Sequence, residues 1–312
     1  MPPAKRNGYI PSSDLMEGEM LDGRYRLGEE LGRGGHGVVY RATDTTNGAK
    51  VAVKVLRKQI KDDPQYAVRL WREAQSLAAL WGTSVVRVHG FGTDEEDTVY
   101  MVMELLEGES FETHLKDLES FGDRLSSFAL LTYLDPIARA LHTAHSLGII
   151  HRDVKPANIF LVSAELGTGA RLMDFGLAKI LGAEALTAAG MIAGSPSYIA
   201  PEMWRTEPFD HRADVYSFGA VIFRSLAGRP PFQGNSTVDL FLGATTEPRP
   251  KLSPIRPDLS PEVDDWVEKA LAIESNNRFP YIPTMWNELI RILMNGRGPS
   301  AERIRQTFRL PG

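Results

Sequence analysis

The sequence predicts an α+β protein of two lobes, a small β-rich N-terminal lobe with one main helix and a larger, mainly helical C-terminal lobe. Two observations carry that expectation. Between Tyr25 and Met103, short apolar-rich runs are punctuated by turn residues, and only one stretch repeats its apolar residues at helical spacing. After Gly108 the texture changes to long amphipathic segments. With 312 residues, 43% of them hydrophobic and 24% charged, the chain is long enough for each lobe to hold its own core.

Residues 1–24 set Pro2, Pro3 and Pro11 among polar neighbours and read as a flexible lead-in, with order expected from Tyr25. Strands are predicted at 25–31, 38–42 and 51–55, with Asn47-Gly48 as a hairpin turn before the third. The main helix of this lobe spans 65–80, where Val68, Trp71, Leu77 and Leu80 recur at helical spacing, and further strands follow at 85–90 and 98–103. Helices are predicted at 126–147, 214–227, 261–273 and 283–294, around a loop-rich middle at 151–202. Five prolines make 247–261 an extended surface connection. The division is therefore a lead-in at 1–24, a domain at 25–293 (lobes about 25–103 and 109–293, joined at about 104–108) and a flexible basic tail at 294–312 with four arginines.

A net charge of −5 argues against a nucleic-acid partner, which calls for a basic footprint. The absence of cysteine excludes disulfides, thiolate metal ligands and a cysteine nucleophile, and fits a reducing, cytoplasmic setting. No signal-peptide core stands near the start. The run Ala220-Val221-Ile222-Phe223 falls far short of the ~20 residues of a membrane helix, so no membrane insertion is expected of this chain.

The chemistry concentrates in His151-Arg152-Asp153-Val154-Lys155-Pro156-Ala157-Asn158 and, sixteen residues after the asparagine, Asp174-Phe175-Gly176. These supply a base, a phosphate-neutralising lysine and two hard oxygen ligands for magnesium, in the order that phosphoryl transfer onto a protein hydroxyl requires. Upstream, Leu31-Gly32-Arg33-Gly34-Gly35-His36-Gly37-Val38-Val39 matches G-x-G-x-x-G-x-V, whose glycines let backbone amides approach phosphate oxygens. Alone, such a loop is more often only a turn. Val38-Val39-Tyr40 continues as a strand where a dinucleotide site needs a helix, and no G-x-x-x-x-G-K-[ST] occurs. Lys54 closes the apolar run Val51-Ala52-Val53, where it either snorkels to water or serves phosphates beneath the loop. Glu73 either pairs with Lys54 or with its helical neighbours Arg69 and Arg72.

These motifs, with Ala200-Pro201-Glu202, stand in the order and rough spacing of eukaryotic-like protein kinases, and the chain resembles a bacterial Hanks-type Ser/Thr protein kinase over roughly 25–293. The resemblance implies the bilobal protein-kinase fold, ATP with Mg2+ or Mn2+, and protein substrates with Ser/Thr acceptors. It casts Asp153 as base, Lys155 as the cation on the transferring phosphoryl, Asn158 and Asp174 as metal ligands, and Lys54 with Glu73 as the phosphate-holding pair. Met103, Glu104 and Leu106 match the segment that binds adenine through its backbone, and Val39, Ala52 and Phe160 match the apolar residues that sandwich its ring. Asp214 is implied to hold the His151 loop and Arg278 to pair with Glu202. His36 departs from the apolar residue usual at the loop tip. His142 and His145, three apart, are assigned to packing because no third metal ligand is spaced with them.

The same resemblance casts Gly194-Ser195-Pro196-Ser197-Tyr198 as the peptide-docking end of an activation segment, which disfavours a small-molecule phosphotransferase. Arg152 is placed to receive a phosphorylated loop residue, with Thr187 the expected autophosphorylation site and Ser195 expected to position the acceptor. Autophosphorylation implies a transient homodimer. The competing reading is a pseudokinase scaffold that binds nucleotide or partners without transfer, set against the presence of Lys54, Asp153 and Asp174.

Overall fold

Hairpin-linked strands build the first of two units, which comprises Met1–Ala79 with Val86–Leu106. The computed structural model describes residues 17–34, 37–56, 79–95, 98–163, 169–175 and 196–308. The strands are β1 (Met20–Leu21), β2 (Tyr25–Gly34), β3 (Gly37–Asp44), β4 (Lys50–Leu56), β5 (Val88–Thr93) and β6 (Val99–Glu104). They form one antiparallel sheet in the order β1-β2-β3-β4-β6-β5.

Strand alternation sorts the two faces. Val38, Tyr40, Val51, Val53, Val55 and Val102 bury one face together with Leu27 and Tyr100. Val39, Lys54 and Met101 lie in register on the other, as do Ala52 and Met103. Gly37 is required where it stands. Its φ is +149°, and a Cβ there would lie 2.1 Å from the carbonyl oxygen of Val55. Gly37→Ala is therefore expected to cost about 1–3 kcal/mol, the strain of a disallowed backbone conformation, read as a lower urea midpoint.

The lead-in expected to be flexible through residue 24 is ordered before its end. Asp22 and Gly23, both at positive φ, turn β1 back onto β2 so that Leu21 enters the core at 1% exposure. A two-residue strand is too short to leave an alternation in the sequence. Most of the helix expected at 65–80 lies outside the described residues.

The second unit comprises Leu80–Val85 with Glu107–Gly312. Residues 80–85, expected with the β-rich lobe, belong here because the Leu172 amide donates to the Ser84 carbonyl at 2.7 Å and Val85 bridges to Leu172. Strands β7 (Gly108–Ser110), β8 (Ile159–Val162) and β9 (Gly169–Leu172) form a three-stranded sheet in that order. The helices described are α1 (Phe111–Ser120), α2 (Ser127–Ser146), α3 (Pro201–Trp204), α4 (Arg212–Ala227), α5 (Thr237–Thr246), α6 (Val263–Ala270), α7 (Ile282–Met294) and α8 (Pro299–Thr307). Helix α4 is buried on every side, with all of Ala213 to Ala227 inside, so it forms the axis of this unit.

Two expectations are corrected here. The tail expected to be mobile at 294–312 contains α8, started by Pro299 and held by buried Ala301 and Ile304, with the Arg303 guanidinium 4.0 Å from the Phe128 ring centroid. Its core-facing side is only two residues wide among many charges, which hides it from a periodicity reading. The proline-rich stretch 247–261 is not a surface strap. Leu252 is fully buried, and Arg249 and Arg256 are buried with their guanidinium groups donating to backbone carbonyls.

Candidate active site

The loop from His151 to Asn158 hangs on one carboxylate. Asp214, in the first turn of α4 and fully buried, accepts from the amides of His151 and Arg152 at 2.8 Å each and bonds His145 Nε2 at 2.8 Å. The N-terminal turn of a helix favours a negative charge. Burial pushes the Asp214 carboxyl up, but the hydrogen bond and charge of His145, with the His151 contacts, outweigh it and hold it below the ordinary aspartate range. His145 thus braces Asp214 from the last turn of α2, a role beyond the packing expected for it. Among the described residues, no group of His, Cys, Asp and Glu is arranged to hold a metal.

His151 ties the loop to the segment that follows β9. Its Nε2 donates to the Met173 carbonyl at 2.8 Å, so Nδ1 is the acceptor for the Asp153 amide at 3.2 Å, and the ring packs 4.4 Å from that of Phe175. Those two bonds define the tautomer. Arg152 and Asp174 take positive φ, 71° and 59°, an unfavourable conformation for residues with side chains that the surrounding bonds hold in place.

The carboxylate of Asp153 is divided between two tasks. Its Oδ2 accepts from Lys155 Nζ at 2.7 Å and from Asn158 Nδ2 at 2.9 Å. Its Oδ1 accepts from none of the described residues, and the side chain is 27% exposed. Asn158, on the 3-10 turn Pro156–Asn158, also donates Nδ2 to the Asp153 carbonyl at 2.7 Å. Spending both bonds through nitrogen leaves the amide oxygen of Asn158 as a hard donor.

In the first unit, Lys54 lies mid-strand in β4 at 5% exposure, paired in register with Val39 on one side and Met101 on the other. Ala52 is two residues along the same face and pairs with Met103. Leu31, Gly32 and Arg33 are exposed on β2, Gly34 ends that strand, and Gly37 and Val38 begin β3. Glu104 Oε1 accepts from the Arg87 amide at 2.8 Å, and Leu106 is half-buried. Phe160 lies on β8 of the second unit, in register with Ser110 and Arg171. Gly35, His36, Glu73, Thr187 and Ser195 lie outside the described residues.

The end of the segment is anchored by charge. Arg278, fully buried, forms a two-pronged pair with Glu202 of α3, Nη1 to Oε1 at 2.7 Å and Nη2 to Oε2 at 2.6 Å, as the resemblance implies. Arg152 sets its guanidinium 5.4 Å from the Phe209 ring centroid and makes no side-chain hydrogen bond among the described residues.

Comparison with known proteins agrees with this geometry. Residues 25–288 match the protein kinase domain family. The chain is 38% identical to a probable serine/threonine-protein kinase of Streptomyces coelicolor over 85% of its own length and 39% of the relative's. It is also 38% identical to the serine/threonine-protein kinase PknA of Mycobacterium tuberculosis, over 81% of this chain and 58% of that one. The crystal structure of the Mycobacterium tuberculosis PknI kinase domain superposes with a TM-score of 0.68 at 28% identity, covering 89% of this chain and 98% of that chain. The chain therefore spans between about two fifths and three fifths of the length of these two curated relatives.

Proposed function

The chain belongs to the protein kinase domain family, and from that premise we propose that it is a protein serine/threonine kinase, transferring the γ-phosphoryl group of ATP to serine or threonine hydroxyls of proteins. The observation that carries this reading is the division of the Asp153 carboxylate, one oxygen held by Lys155 and Asn158 and the other left to an acceptor. The family as a whole uses ATP with a divalent metal.

Asp153 Oδ1 accepts the hydrogen bond of the acceptor hydroxyl and orients its oxygen for in-line attack. As the new oxygen–phosphorus bond forms and the bond to the ADP leaving oxygen breaks, the hydroxyl proton passes to this carboxylate. Lys155, already held at Asp153, contributes positive charge where the phosphoryl group gains negative charge. In this reading the family's roles fall to Lys54 as the cation for the donor phosphates, to Val39, Ala52 and Phe160 as apolar surface for adenine, and to Met103, Glu104 and Leu106 as backbone groups for its edge. Gly32 to Gly37 supply backbone amides to the phosphates.

The donor set fits magnesium or manganese, since the Asn158 amide oxygen and the Asp174 carboxylate are hard oxygen ligands in a chain without cysteine. When bound, such an ion screens the charge of the phosphates and stabilises the transferring group. Arg152, whose guanidinium has no hydrogen-bonded partner among the described residues, is proposed to receive a phosphate on Thr187, formed by autophosphorylation through a transient homodimer, and Ser195 to position the acceptor. The absence of cysteine supports a cytoplasmic setting, and no helix among the described residues is long and apolar enough to cross a membrane.

Incubation with γ-labelled ATP and magnesium, with phosphosites mapped by mass spectrometry, tests the reading. The expected result is label on serine or threonine, including Thr187, that disappears on chelation with EDTA and in Lys54→Met. Nucleotide binding without any transfer would favour the scaffold reading instead.

A further inference from the structure

The described residues include a charge cluster around a buried arginine that the proposed chemistry does not use. Arg224 occupies the last turn of α4 with its side chain 6% exposed. Its Nε and Nη2 donate to the two carboxylate oxygens of Glu119 at 2.8 and 3.0 Å, and its Nη1 donates to Glu112 Oε2 at 2.7 Å. Both glutamates belong to α1. The same Nη1 donates to the hydroxyl of Tyr198 at 2.8 Å.

Tyr198 ends the 3-10 turn Pro196–Tyr198, directly before Ile199-Ala200 and α3, and is 4% exposed. Its carbonyl accepts from Ser217 Oγ at 2.7 Å. Ser217 and Arg224 are seven residues apart, two turns along one face of α4. One helix face therefore holds both ends of this residue, the backbone by Ser217 and the phenol by Arg224. Burial pushes the phenol up, and the charge of Arg224 pulls the other way without cancelling it, so the ring reaches this contact neutral.

Ordinary interior packing accounts for the burial of a tyrosine ring. It does not account for a guanidinium whose three nitrogens are divided among two carboxylates from α1 and one phenol from the turn. A lysine, with its point charge, cannot span these partners, whereas the planar fork of arginine can. The partners lie on two different elements, so the position of α1 and that of the turn are both referred to α4 through one side chain.

We propose that Arg224 is a positioning residue for the protein acceptor, fixing the turn at Tyr198 against α4 and α1 so that the backbone at 196–200 is set to dock the peptide. This rests on the kinase reading, in which that turn is the docking end of the segment.

The test compares the unaltered chain with Tyr198→Phe, Arg224→Lys and the double variant. The acceptor is a synthetic peptide bearing the phosphosite mapped on the chain itself, and KM is measured separately for peptide and for ATP. Tyr198→Phe keeps the ring and removes only the hydroxyl. Tyr198→Phe is expected to raise the peptide KM about tenfold, the worth of one hydrogen bond to a charged group, and Arg224→Lys at least as much because it also gives up contacts to α1, with the ATP KM unchanged in both. The double variant is expected to be no worse than the more affected single one, since both remove the same bond. Should Arg224→Lys fail to fold, Tyr198→Phe alone decides. An unchanged peptide KM in Tyr198→Phe, or equal rises in both KM values, overturns the positioning role while leaving the kinase reading intact. No transfer by the unaltered chain overturns both.

Discussion

Asp153→Asn is expected to retain the fold and ATP binding while lowering phosphoryl transfer by about 10²- to 10⁴-fold, the range of general-base assistance. The geometry explains why a nearly isosteric change acts so strongly. Lys155 Nζ and Asn158 Nδ2 both donate to Oδ2, so the one carbonyl oxygen of an asparagine must turn toward them. Its amide nitrogen then faces the acceptor hydroxyl as a donor and can take no proton from it. Transfer of labelled phosphate to peptide and calorimetric ATP affinity are the two measurements. Turnover near that of the unaltered chain would remove Asp153 from the role of base.

Arg278→Ala is expected to destabilise the chain by about 3–5 kcal/mol, the cost of removing one partner from a buried ion pair. Glu202 would be left as a carboxylate at 7% exposure without its two-pronged partner. The carbonyls of Arg212, Ala272 and Ile273 would each lose a donor as well. Urea denaturation gives the number, and replacing both partners, Glu202→Leu with Arg278→Met, is expected to recover the part of the loss due to the stranded charge, while the carbonyls of Arg212, Ala272 and Ile273 stay without their donor. A loss below about 1 kcal/mol in Arg278→Ala, the scale of an exposed pair, would show that the pair carries little of the anchoring.

Legibility in the sequence followed local physics. Val51, Val53 and Val55 announce β4 because a strand sorts its side chains by twos, and the same parity sets Lys54 on the face of Val39 and Ala52. Helices α2, α4, α6 and α7 announce themselves through apolar residues at helical spacing. Short elements do not. Met20–Leu21 and α8 each bury one or two side chains, too few to make a period, and α1 and α5 pass beneath the same threshold.

The sequence alone determined the protein kinase family, the strand-rich and helix-rich division of the chain, and the residue types of the candidate site, because each of these is written in contiguous motifs or in a local period. The resemblance implied Asp214 on the His151 loop and Arg278 on Glu202, and tertiary structure alone decided the individual bonds through which the residues are held. Asp214 is brought to the amides of His151 and Arg152 from more than sixty positions away, and His145 reaches it from the other side. Arg224 meets Glu112 and Glu119 across more than a hundred residues. A charge in a sequence has no declared partner. Burial makes an unpaired charge costly, so the packed interior selects which distant group must satisfy it, and that choice exists only once the helices have met.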